Sequence, residues 1–130
     1  MILLVGTSCS SGPVDPSQAI AGTWSLSTIN GQTLPFVWQS QDENNSVSFA
    51  SGTLTLRADR TYTDHTDFSV KVDGTAQSQP LESSGTWSLS GSILTLTPTE
   101  SPPYSMTWNG SDRLTQDFDQ LMLLYHKESP

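Results

Sequence analysis

The chain has little that carries positive charge and little that cross-links. Its 130 residues include five Lys and Arg, two His and one Cys. A single thiol, Cys9, excludes a disulfide framework within the chain. His65 and His126 stand far apart with no Cys or second His nearby, so a zinc site of the usual Cys/His type is out of reach. Thirteen acidic residues give a net charge of -8. Such a surface repels phosphate backbones, so no nucleic-acid partner is expected, and it offers no basic patch to anionic lipid headgroups. The acidic residues are scattered, as a solubilising surface would have them. No segment approaches the ~20 consecutive apolar residues of a transmembrane helix. Lys, Arg and Ala are few while Ser, Thr and Gly abound, which disfavours helices and suits strands with polar outer faces.

What is present is alternation. Gly-Thr-Trp-Ser-Leu-Ser occurs twice, at residues 22–27 and 85–90, each time followed by a turn signal, Asn30-Gly31 or Ser90-Gly91. In each copy Trp and Leu point one way and small hydroxyls the other, the period of two of a half-buried strand. From Thr61 to Val72 the same period sets Tyr62, Asp64, Thr66, Phe68, Val70 and Val72 on one face. Residues 15–20 suggest a short helical turn, 32–46 a long loop with an apolar patch, and 75–80 a polar loop. Ser51-Gly52 suggests a bulge, and Asn109-Gly110 a type I′ hairpin. About eight strands joined by tight turns, in a chain of one-domain length, predict an all-β fold: a small eight-stranded antiparallel up-and-down β-barrel.

The N-terminus reads differently. Residues 1–9 are apolar, then small, then Cys9, and Gly12, Pro13 and Pro16 follow as an extended spacer. This resembles the end of a bacterial lipoprotein signal peptide, with Ser8 before the cysteine. Gly6 stands where that family has a leucine, no positive residue precedes the apolar run, and the run is short. A true start upstream of Met1 is one explanation; the alternative is a disordered or partly buried apolar tail. The expected organisation is a truncated lipoprotein-type signal segment at 1–9, a flexible tether at 10–19 and a barrel domain at 20–128. The resemblance implies lipidation at Cys9 and a place in the bacterial cell envelope, anchored in the membrane or secreted.

The domain itself resembles the small bacterial lipocalin-like domains. The matching stretches are Gly22-Thr23-Trp24, Asn30-Gly31, Leu34-Pro35, Gly52-Thr53-Leu54-Thr55-Leu56, Ala58-Asp59-Arg60-Thr61-Tyr62, Gly85-Thr86-Trp87 and Leu94-Thr95-Leu96-Thr97. The resemblance implies that Trp24 plugs the closed end of the barrel and that the loop after the first strand caps the open end. The family's Arg over that Trp has Lys127 as its nearest counterpart. A second small-barrel family, the META domains, begins similarly but carries a Gly-Cys-Asn turn that is missing here.

The inward set is Trp24, Leu26, Leu54, Leu56, Tyr62, Phe68, Trp87, Leu89, Leu94, Tyr104, Met106, Trp108, Leu114 and Phe118. These side chains either pack as a solid core or line a pocket for one small ligand. Asp64, Thr66 and Gln116 fall in phase with them; buried polar groups need partners, so they sit at a wet mouth or orient a ligand's polar head. Candidate ligand-binding residues are therefore Phe36, Trp38, Tyr62, Asp64, Phe68, Trp87, Tyr104, Met106, Trp108 and Gln116, with Phe36 and Trp38 either forming a lid or stapling their loop down. His65 faces out beside Asp67 and reads as solvated, so no catalytic residue, metal or cofactor is expected. The leading reading is a monomeric envelope lipoprotein that binds a small apolar or amphipathic molecule. The alternative is a filled barrel acting on a partner protein through residues 32–46 and 75–80, as in envelope assembly or protease inhibition. Enzymatic use of Asp64 or His65 ranks last.

Overall fold

The computed structural model of the protein describes residues 16–118 and 120–128. A short helix, α1 (Pro16–Ile20), leads into β1 (Gly22–Ile29), where Trp24, Leu26 and Ile29 are buried between half-covered hydroxyl residues. There follow β2 (Gln32–Thr33), β3 (Phe36–Asp42), β4 (Asn45–Leu56), β5 (Thr61–Val72), β6 (Thr75–Ser90), β7 (Ile93–Pro98), β8 (Tyr104–Trp108), β9 (Arg113–Phe118) and β10 (Leu121–Lys127). From β4 to β10 each strand pairs antiparallel with the next. β10 then pairs with β1, and β1 pairs with the second half of β4, Gly22 opposite Leu56 and Ser25 opposite Thr53. That last ladder closes eight strands into an antiparallel up-and-down barrel. β2 and β3 stand outside the ring, on the end of β1 and the first half of β4.

Two segments expected as loops are strands. Residues 32–46 form β2, β3 and the turn into β4, with the cis Leu34–Pro35 peptide between β2 and β3. Residues 75–80 are the start of β6, paired in unbroken register with β5 from Val72 opposite Thr75 to Thr61 opposite Thr86. Every residue from Thr75 to Glu82 is exposed, so both faces of this ribbon meet water and no alternation marks it. Pro80 is tolerated because only β5 flanks this stretch of β6; β7 pairs with residues 85–90 alone.

The turns also differ from expectation. Asn109 does not have the positive φ that a type I′ turn requires. Its side-chain oxygen instead accepts the backbone N–H groups of Ser111 (2.9 Å) and Arg113 (3.0 Å), an Asx-type turn over four residues. The two-residue turns with paired positive φ are Asn30-Gly31 (53° and 79°) and Asp73-Gly74 (50° and 81°). The Ser51 irregularity is present, as a register shift between β4 and β5.

The packed core fills the end of the barrel covered by α1. Of the expected inward set, Trp24, Leu26, Leu54, Leu56, Tyr62, Trp87, Leu94, Met106, Trp108 and Leu114 are buried, and Phe68, Leu89 and Tyr104 pack half-buried against them. Phe118 is 41% exposed, because it ends β9 at the opposite rim. Ile20, Ile29, Phe49, Leu96, Leu121, Leu123 and Tyr125 complete the core. The Trp24 indole is fully buried and donates to the Ile20 carbonyl at 2.9 Å. Lys127 lies 6.0 Å from its ring centroid and donates to the Ala19 carbonyl at 2.5 Å. These two bonds fasten α1, including the last residues assigned to the tether, over the closed end. The expectations for residues 1–15, Cys9 among them, lie outside the described residues.

Candidate functional site at the barrel mouth

β5 runs from the closed end to the open one. Tyr62 is sealed in the core, and Asp64, Thr66 and Phe68 follow at successive inward positions, half-buried and lining the mouth. Around them opens a cavity of about 440 Å³. Its apolar wall includes Phe49 from β4, Leu123 and Tyr125 from β10, Phe118 from β9, and Pro98 and Pro102 beside β8. Polar groups come from Asp64, Thr66, Ser83, Tyr104 and Gln116.

Trp38 lies at the rim. In β3 the side chains alternate, so exposed Val37 separates half-buried Phe36 and Trp38. The Trp38 ring meets Phe49 at 5.5 Å, Phe68 at 6.2 Å and Phe118 at 5.7 Å, and Phe49 meets Phe68 at 4.8 Å, all tilted. These are favourable aromatic separations. Phe118 belongs to the wall across from β4 and β5, so Trp38 reaches over the opening.

Asp64 is the electrostatic centre. Its Oδ2 accepts from the Tyr104 hydroxyl at 3.4 Å, while Oδ1 is buried with no partner among the described residues. Burial pushes the Asp64 carboxyl up to about 6, against the lowering influence of Tyr104 and of His65. Burial first, and then the Asp64 charge, holds the phenols of Tyr104 and Tyr125 well above their usual range, so both remain neutral donors. His65 points outward, between Asp67 (3.1 Å) and Glu82 (3.3 Å), whose hydrogen bonds raise its pKa. Asp64 and His65 thus face opposite sides of the wall and share no reaction centre.

Of the candidate ligand residues, Asp64, Phe68, Tyr104 and Gln116 line the cavity and Trp38 stacks over it, while Phe36 packs on the core beside β4. Tyr62, Trp87, Met106 and Trp108 are buried in the core and do not line it. The reason is their height along the strands. The Trp87 indole donates to the Arg57 carbonyl at 2.9 Å under the Arg60 guanidinium, and the Trp108 indole donates to the Ser111 carbonyl at 3.2 Å. Both rings are therefore tied to turns at the closed end. Phe49, Leu81, Pro98, Pro102, Leu123 and Tyr125 line the cavity and were not among the candidates. Tyr125 had a signal, the buried alternation of Leu121, Leu123 and Tyr125, which apolar Met122 and Leu124 on the other face concealed.

A barrel closed by one ladder, plugged by a buried Trp at one end and hollow at the other, can hold a small molecule. Among curated proteins none matches the chain. A family model described as a lipocalin-like domain matches residues 20–116, from the helix that covers Trp24 to the inner wall of the cavity, and the chain belongs to that family.

Proposed function

We propose that the protein binds a small apolar or amphipathic molecule in the cavity beneath Trp38, as a monomer held in the bacterial cell envelope by a lipid on Cys9. The observation that carries the binding reading is the cavity itself. Its volume of about 440 Å³ falls among small-molecule sites, and its walls are mainly aromatic and aliphatic with a few convergent polar groups. Covering apolar ligand surface there contributes about 25 cal/mol per Å². Membership of a family that is generally non-catalytic supports binding without turnover. The tether is supported by the sequence: an apolar run, Ser8 before Cys9, and a Gly/Pro spacer.

Titration with N-phenyl-1-naphthylamine, an uncharged fluorescent probe, tests the pocket. The expected result is saturable enhancement at one site per chain, weakened several-fold by Trp38→Ala. Enhancement that never saturates, or that ignores Trp38→Ala, rejects the pocket. Mass analysis of the Cys9 peptide from host membranes tests the anchor: an acylated cysteine supports it, and a free thiol on mature protein rejects it.

A further inference from the structure

The cavity that holds the proposed ligand carries charge of one sign. Its lining includes two carboxylates, Asp64 and Asp117, and among the described residues that line it there is no Lys, Arg or His. Asp117 is exposed at the rim, whereas Asp64 lies deep, next to the core. The groups facing Asp64 from the surrounding strands are neutral hydroxyls, Tyr104 from β8 and Tyr125 from β10. His65 is engaged outside by Asp67 and Glu82. Among the described residues one long hydrogen bond reaches the Asp64 carboxyl, and its Oδ1 meets no donor. A buried acceptor left unmet costs free energy that a donor on a ligand would recover.

Above this acceptor stand Phe49, Phe68, Phe118 and Trp38, whose ring faces attract cations as well as hydrocarbon. The net charge of -8 draws cations toward the molecule and repels anions.

The geometry points to an apolar amine as the ligand class: its ammonium donates to Asp64 on the cavity floor and its hydrocarbon or aromatic body lies beneath Trp38. This rests on the cavity being a ligand site. An ammonium needs the carboxylate form, so binding tightens as pH rises through the region where Asp64 loses its proton, near 6 in the empty cavity. A fatty acid of equal length brings a second negative charge to the same floor and binds poorly.

The test is competition against N-phenyl-1-naphthylamine by dodecylamine and by laurate, below their micellar concentrations, at about pH 5 and about pH 7.5. The proteins are wild type, Asp64→Asn, and Asp112→Asn, which removes a charge at a turn of the closed end. Dodecylamine is expected to bind wild type at least about tenfold tighter than laurate at the higher pH, and to weaken about tenfold at the lower. Asp64→Asn should abolish both differences while the uncharged probe still binds, and Asp112→Asn should change neither. Probe binding with laurate equal to or tighter than dodecylamine overturns the amine class alone, as does an amine affinity indifferent to Asp64→Asn. If the probe and both amphiphiles fail to bind, the pocket reading falls with it.

Discussion

At Asp64 the fold holds a carboxyl against its own solvation. The unfolded chain binds this proton with the ordinary value of 3.8 and the folded chain with about 6. Between those values the folded state holds more proton, so stability falls as pH rises through the window. Above it the carboxylate costs about 2–3 kcal/mol. Asp64→Asn, which keeps the shape and can still bond Tyr104, is expected to stabilise the protein by about 2 kcal/mol at pH 8 and by nothing near pH 3, below the unfolded value. Urea unfolding at both pH values measures this, and a variant less stable than wild type at pH 8 contradicts it. Trp24 is the opposite case, a polar group fully met. Trp24→Phe leaves the Ile20 carbonyl without its donor and shrinks a fully buried ring, an expected loss of about 2–3 kcal/mol of stability, read as a lower urea midpoint with little change in slope.

Strands and turns show what the sequence made legible. Alternation separates inside from outside: Trp24, Leu54, Tyr62, Leu94 and Leu114 fall on the inward phase and all are buried. It does not report height along a strand, so Trp87 and Trp108 share the phase of Tyr104 although their indoles bond to closed-end turns. Where both faces meet water, as from Thr75 to Glu82, alternation vanishes and a strand looks like a loop. The Asn-Gly pair at 109–110 misled because Asn serves two turn chemistries, a left-handed backbone or a side-chain acceptor, and one dipeptide does not choose between them. Asn109→Ala removes an acceptor for two backbone N–H groups, with an expected cost of about 1–2 kcal/mol, again read by denaturant. Gly85 is harsher. A Cβ there would stand 2.0 Å from the Thr97 carbonyl oxygen and 2.9 Å from the Pro98 Cα, both backbone atoms of β7. Gly85→Ala is expected to break the start of the β6–β7 ladder and leave no cooperative thermal transition; a variant melting within a few degrees of wild type would refute that close approach.

On the scale of the molecule, one ladder matters most. Pairing of β1 with the second half of β4 turns a sheet into a ring and separates two ends of different chemistry. One end is filled by Trp24, Trp87 and Trp108 and fastened by α1 through Ala19 and Ile20. The other is left hollow, because β4, β5 and β6 continue past the packed layer and Trp38 and the phenyl rings reach across above it. A solid core and a pocket, alternatives at the level of residue pattern, thus coexist at different heights of one barrel. Burial in sequence order could not reveal this, since it depends on which strand ends share a rim.

The most direct measurement is a crystal structure with 12-bromododecylamine, in which anomalous scattering locates the bromine and density locates the ammonium. The expected result is the nitrogen beside Asp64 and the chain rising among Phe49, Phe68 and Phe118 beneath Trp38. A chain bound on the outer wall, or a mouth closed by collapsed side chains with no room for it, would contradict the account.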